Sequence, residues 1–308
     1  MILQAGGRGV AILRAPVGAY KSKWIAASPR PSVAPPGGSY HTGAMENAAG
    51  DGVMLPDEGT RAFGDVPWTA RDVLFGAFWF VGIFVGAQVA ILPLLIIYGA
   101  KSGQFFTSAF VSGAMVEVAI ALVAASFTMR RYGGGLARLG IAMPGRSAIF
   151  WALVAFAGAL IVSLVYGAVI EVFDIGWLKS DCAEQVPKEV RDTRGLLALA
   201  SLTVIVFAPV CEEIFFRGFL FPGLSKRWGL VAGIVASGII FSAAHLLYKS
   251  FVPIAGVGMV FAYAYYRSRN LVSTMLAHVA FNSVSIAVIA AGSCDSSSSI
   301  GLLRGLGL

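Results

Sequence analysis

The sequence predicts an all-α, polytopic membrane helix bundle of about seven transmembrane helices, and three observations predict it. Of 308 residues, 57% are hydrophobic and only 13% charged. A soluble domain carries about 45–50% and 25%, so too little polar surface remains here to coat a water-soluble globule. The mean hydropathy is +0.78. From Val73 onward, long apolar runs alternate with short polar breaks, and a span needs about 20 apolar residues to cross about 30 Å of hydrocarbon.

Residues 1–70 are rich in Gly, Ala, Pro and Ser, with scattered charges and no apolar run long enough for a helical core. They read as a disordered cytoplasmic tail. No cleaved signal is expected, because Arg8, Arg14, Lys21 and Lys23 interrupt every candidate apolar stretch. Met45 opens a segment that would serve equally well as an N-terminus, which leaves the native status of residues 1–44 open.

Seven apolar runs follow, at 73–98, 105–129, 148–173, 195–221, 229–247, 251–266 and 271–291. The sixth has 16 residues, short for a full crossing, so six or eight spans also fit. The breaks are basic and glycine-rich: Lys101-Ser102-Gly103, Arg130 to Gly135, Lys226 to Gly229, and Arg267 to Asn270. The expected division is a tail (1–70), three helices with a polar loop (71–194), a four-helix core (195–291) and a C-terminal tail (292–308). That last tail, ending Arg304-Gly305-Leu306-Gly307-Leu308, has no lipidation box.

The net charge of +7 is spread over loops and tail, which suits anionic lipid and argues against nucleic acid as a partner. With the N-terminus inside, ten Lys and Arg fall on the inner side and seven on the outer, the direction of the positive-inside rule. A bacterial plasma membrane with a cytoplasmic N-terminus is the expected location. Cys182, Cys211 and Cys294 show no CxxC spacing and are too few for a disulfide framework or a thiolate zinc site. In this orientation Cys182 and Cys294 share the outer face, where free thiols are expected and a disulfide is conceivable.

Ionisable groups inside a span are costly and tend to be functional. The fourth run holds Cys211-Glu212-Glu213-Ile214-Phe215-Phe216-Arg217. Glu213 and Arg217, four apart on a helix, can pair on one face. Glu212 points about 100° away, so that arginine cannot easily serve it. The fifth run carries Phe241-Ser242-Ala243-Ala244-His245, and the seventh His278-Val279-Ala280-Phe281-Asn282, with His278 and Asn282 again four apart. In an antiparallel hairpin turning at Trp228-Gly229, Glu212 and His245 both stand about 24 Å from the turn at 1.5 Å per residue. His278 lies only about 10 Å from its own turn, a mismatch of about 14 Å. It closes only if the Lys226-Arg227 turn protrudes.

A carboxylate beside an imidazole can take a proton from water, as peptide hydrolysis requires. A second His with an Asn offers N–H donors to the oxyanion of a tetrahedral intermediate. Alternatively Glu212, His245 and His278 could ligate zinc, leaving a fourth position for a water. Both schemes end in amide hydrolysis, so the cofactor stays undecided between none and one zinc-like divalent metal.

The ordered triple Glu-Glu-x-x-x-Arg (Glu212 to Arg217), Phe-x-x-x-His (Phe241 to His245) and His-x-x-x-Asn (His278 to Asn282), each within an apolar helix, resembles the CAAX prenyl protease and bacteriocin-processing family of intramembrane proteases, also called the Abi family. The resemblance covers about residues 195–291. It implies that Glu212 and His245 activate water, that His278 and Asn282 bind the oxyanion, and that Glu213, Arg217 and Phe241 support the site. Members of the family are often named metalloproteases, but the name does not decide the cofactor. The implied substrate is a hydrophobic or lipidated peptide in or on the membrane: a prenylated C-terminus, a bacteriocin leader and a membrane-anchored regulator all suit.

Blander readings stand beside these. Glu213 with Arg217 serves equally as a bundle-locking ion pair, and either histidine alone as an interhelical hydrogen-bonder. Glu117 and Gln88, lone polar residues in earlier runs, read as packing contacts or a cavity rim. Cys211 reads as a small packing residue. Two other functions remain: a proton-coupled transporter relaying protons through Glu212, Glu213 and the histidines, which the lack of an internal repeat disfavours, and a non-catalytic scaffold or immunity protein of the same fold.

Overall fold

The computed structural model describes residues 66–133, 136–179 and 186–290. The expectations placed on the tail up to residue 65, on His41, Cys182 and Cys294, and on the tail from 292 lie outside the described residues.

Each apolar run is one helix. They are α1 (Ala70–Tyr98), α2 (Gly103–Arg131), α3 (Arg146–Val172), α4 (Arg194–Trp228), α5 (Leu230–His245), α6 (Phe251–Ser268) and α7 (Leu271–Ala290). A single turn, Lys188–Arg191, precedes α4. Among the described residues there is no strand, and α1, α2, α3, α4 and α7 are long and apolar enough to cross a membrane. The fold is an all-helical bundle of an integral membrane protein.

The surface pattern is that of a lipid-facing molecule. Leu74, Ile96, Leu153 and Val231 lie exposed, while Glu213 and Arg217 are 0% exposed. Water would drive the opposite arrangement; lipid does not. The helices meet through small residues instead. Gly238 of α5 stands so close to α6 that a Cβ there would lie 2.6 Å from Ala255 O, and one on Gly258 would lie 2.9 Å from Gly238 Cα. Buried Ala148, Ala152, Ala155 and Ala159 line α3 at helical spacing, which brings backbones together as in small-xxx-small packing.

The stretch 66–69, read with the tail, is anchored to the bundle by Trp68. Trp68 is fully buried and its indole N–H donates to Phe219 O at 2.9 Å. Asp72 then caps α1, accepting from Thr69 N and Thr69 Oγ1 at 2.8 Å each. α4 also runs past the expected end at 221. Phe221, Pro222, Gly223, Leu224 and Ser225 are buried, so packing against the start of α1 and against α5 carries turns too polar to be recognised by their hydropathy.

Two helical hairpins have unequal reach, which removes the depth mismatch. Gly218 of α4 packs on Leu139, Tyr265 of α6 donates to Leu139 O at 3.1 Å, and Leu271 N donates to Gly140 O at 2.7 Å. The α6–α7 turn therefore lies level with Gly218, ten residues before Trp228, and the α4–α5 tip extends about 15 Å farther at helical rise. Glu212 and His278 are then both about 10 Å from that common level.

Candidate active site

Glu212 comes from the middle of α4, where the helix changes its winding. π-helical stretches at Thr203–Phe207 and Glu213–Leu220 flank the short α-helical piece Ala208–Glu212. π-bulges swing side chains out of α-helical register and recur at functional sites. Here they leave Glu212 and Glu213 aimed at different neighbours.

Glu213 takes the inner place. It pairs with Arg217 at 2.8 Å, and His278 Nδ1 lies 3.0 Å from the same Oε1. The Arg217 guanidinium stands 4.1 Å from the Phe241 ring centroid and 5.4 Å from that of Phe261, and Nη2 donates to Gly258 O at 3.4 Å. A buried ion pair survives only with such additional partners.

Glu212 faces the two imidazoles. His245 Nε2 is 4.0 Å from Oε1 and His278 Nε2 is 3.8 Å from Oε2. Those distances exceed a direct hydrogen bond and suit a bridging water. Oε2 is buried without a hydrogen-bond partner among the described residues.

Backbone and side-chain partners set the tautomers. His245, the last residue of α5, has Nδ1 2.8 Å from Phe241 O. A carbonyl only accepts, so Nδ1 carries the proton and the neutral ring presents a lone pair on Nε2 towards Glu212. In the same way His278 keeps Nδ1–H on Glu213 and presents Nε2 to the cavity. Phe241 touches both rings, at centroid distances of 4.7 Å to His245 and 5.9 Å to His278. Asn282 donates from Nδ2 to Val204 O at 2.8 Å, tying α7 to the first π stretch of α4.

Two cavities meet at this pair. One, about 310 Å³, lies among α3, α4, α6 and α7, and its walls include Val204, Glu212, Phe241, His245, His278 and Asn282. The other, about 370 Å³, lies between α1, α2, α4 and α5, with Gln88, Ser112, Glu117, Glu212, Ala244 and His245 in its walls. The three motifs thus converge, as their order on the helices requires. Glu117, read as a packing residue or rim, also belongs to the wall. A single acid in an apolar run was the signal for it.

Zinc ligands must sit about 2.0–2.2 Å from one point. Among the described residues no three His, Cys, Asp or Glu side chains are grouped so as to hold a metal ion. The steps proposed below use the side chains of Glu212, His245, His278 and Asn282 alone.

Comparison with known proteins agrees with the geometry. Residues 194–284 match the family described as Rce1-like, "Type II CAAX prenyl endopeptidase Rce1-like". The chain is 27% identical over 134 residues to the "Putative membrane peptidase YdiL" of Bacillus subtilis (strain 168), covering 44% of this chain and 53% of that protein. It is 31% identical over 86 residues to an "Uncharacterized 24.3 kDa protein" of Escherichia coli, covering 26% and 40%. The chain thus spans about half the length of the curated relatives it matches, or less. No solved structure matches. The stretch that matches the Rce1-like CAAX prenyl endopeptidase family runs from the start of α4 into α7 and holds all three motifs.

Proposed function

We propose that the chain is an intramembrane endopeptidase that hydrolyses a peptide bond of a hydrophobic or lipidated peptide held at the membrane. The observation that carries this reading is the Glu212 carboxylate standing 4.0 and 3.8 Å from two imidazole Nε2 atoms where two cavities meet.

A water between Glu212 and His245 gives one hydrogen bond to the carboxylate and one to the His245 lone pair. Glu212 takes a proton as the water oxygen attacks the scissile carbonyl carbon. The carbonyl oxygen becomes an oxyanion on the opposite side, facing Nε2 of His278, which donates to it when the ring holds a proton there. Asn282 has one N–H on Val204 O and a second for the same oxygen. Collapse of the intermediate breaks the C–N bond, and the proton on Glu212 passes to the leaving amine. Arg217 and Phe241 hold Glu213 and both rings in place. The 310 Å³ cavity, with Val204, Val257, Phe281, Ile286 and Ile289 in its walls, supplies an apolar seat for the chain on either side of the bond.

The reading is tested in proteoliposomes with a farnesylated peptide ending in Cys-aliphatic-aliphatic-Xaa. Glu212→Gln is expected to lower turnover at least about 10²-fold, the usual worth of a general base, with unchanged expression and unfolding temperature. Turnover retained in that variant overturns the assignment. Chelation is expected to leave wild-type turnover unchanged, and loss restored by added zinc would instead support the metal scheme.

A further inference from the structure

Glu117 is the acid that this mechanism does not use. It projects from the middle of α2 into the 370 Å³ cavity whose wall also holds Glu212 and His245, so the cavity has a carboxyl on each of two opposing helices. Glu117 Oε2 is buried and has no hydrogen-bond partner among the described residues, and the same is true of Glu212 Oε2. A buried oxygen left without a partner is costly. An unpartnered carboxyl oxygen of Glu117 on the wall of this cavity, with no ion pair to Glu117 among the described residues, makes an arrangement that packing alone does not favour. The remaining wall supplies further polar groups, Gln88 and Ser112, within a lining otherwise of Phe, Val, Ile, Ala and Gly. A cavity of this size with several polar partners is roomy enough for water.

The two cavities differ in chemistry on either side of the Glu212–His245 pair. His278 and Asn282 lie on one, and Glu117, Gln88 and Ser112 lie on the other. The oxyanion donors and the extra acid are thus segregated. A water approaching Glu212 from the α2 side attacks a carbonyl held on the α7 side, with the nucleophile and the oxyanion donors on opposite faces.

We propose that the α1–α2 cavity stores the hydrolytic water and that Glu117 is a positioning residue that holds this water against Glu212 and His245. This rests on the peptidase reading above and adds to it the side from which water comes and the group that orients it.

Kinetics on the farnesylated peptide, with Glu212→Gln run in parallel, test the assignment. Glu117→Leu has similar bulk but cannot bond water, and is expected to lower kcat at least tenfold while leaving KM within about twofold. Glu117→Gln, which can still bond water, is expected to restore kcat to within about threefold of wild type. Gly113→Leu provides a variant that does not touch the acid: Gly113 lines the cavity, and a Cβ there meets nothing within 4 Å. It is expected to displace water and lower kcat likewise. A role confined to folding would instead move unfolding temperature and leave kcat alone.

Full kcat in Glu117→Leu, or Glu117→Gln as slow as Glu117→Leu, overturns the proposal. Should Glu117→Leu fail to fold, full kcat in Gly113→Leu overturns it. An active Glu212→Gln overturns the peptidase reading itself, whereas an inactive Glu212→Gln beside a fully active Glu117→Leu overturns only this inference. A substrate-free readout covers the case of an uncleaved peptide. In a chain with Cys182, Cys211 and Cys294 replaced by Ser, Ser112→Cys is expected to react with a small water-soluble methanethiosulfonate. Protection of that thiol in the folded protein means a dry cavity and overturns the proposal.

Discussion

Glu212 and Glu213 are adjacent and chemically identical, yet they meet different partners, and the proposed reading gives them different tasks for that reason. Glu213 is matched by Arg217, His278 and the rings of Phe241 and Phe261, directly or through the arginine, and on the proposed reading its role is to hold the site together. Removing one partner of such a pair leaves a buried charge uncompensated, worth about 3–5 kcal/mol. Arg217→Met is therefore expected to lose about that much stability, read as a large fall in unfolding temperature in detergent. It should cost far more than Glu212→Gln, whose carboxylate stands 4.0 and 3.8 Å from two imidazole nitrogens and, among the described residues, pairs with no Lys or Arg. If both variants unfold alike, the division of labour between the two acids is wrong. At this scale the sequence was highly legible: intramembrane acids and histidines are few, and each expected site residue lines the cavity or supports it. Two contacts were not legible. Arg217 stacking on Phe241 needs the fold of α4 against α5, and Glu117 beside Glu212 needs the packing of α2 against α4, neither of which a local spacing encodes.

The helices were legible to within a few residues wherever lipid defined them. α1, α2, α3 and α7 follow their apolar runs because hydrocarbon tolerates only satisfied backbone and apolar side chains. α4 departs from its run for two reasons. Its last turns are buried by protein and so carry no membrane-like composition, and its π stretches change the angle between successive side chains, which a uniform 100° wheel does not anticipate. The α5–α6 crossing depends on Gly238 and Gly258. Gly238→Ala would put its Cβ 2.6 Å from the backbone oxygen of Ala255, and backbone cannot move aside as a side chain can. Overpacking of this kind costs about 1–3 kcal/mol. Its unfolding temperature is expected to fall, with Gly82→Ala, where a Cβ meets nothing within 4 Å, as the unchanged comparison. Equal behaviour of the two would show that α5 and α6 do not cross so closely.

Over the whole molecule the charge is sorted by end. The end bearing the start of α1, the α2–α3 connection and the α4–α5 and α6–α7 turns holds Arg71, Arg130, Arg131, Arg138, Arg146, Lys226, Arg227, Arg267 and Arg269, and Asp72 is its only acid among the described residues. At the other end, basic residues stand among acids, as in Lys101 with Glu189 at 3.9 Å and Lys179 with Asp174 at 2.7 Å. Asp174 holds Lys179 above the usual lysine range, and Lys179 holds Asp174 below the usual carboxylate range, each by hydrogen bond and charge. The positive-inside rule predicts that the first end faces the cytosol. In a chain freed of its native cysteines, a membrane-impermeant thiol reagent applied to intact cells is expected to label Gly176→Cys and spare Gly145→Cys. The reverse pattern would turn the protein over in the membrane. Seven helices could be counted from hydropathy, but how far each hairpin reaches could not, because reach is set by the contacts of Leu139 and Gly140 with Gly218, Tyr265 and Leu271.

The carboxylate of Glu212 is a party wall between two rooms, with an imidazole facing each of its oxygens. Whatever fills one room meets what fills the other across that side chain and the His245 ring, which belong to the walls of both. On the proposed reading, a greasy guest and its small polar companion occupy separate rooms, and neither must leave before the other can enter.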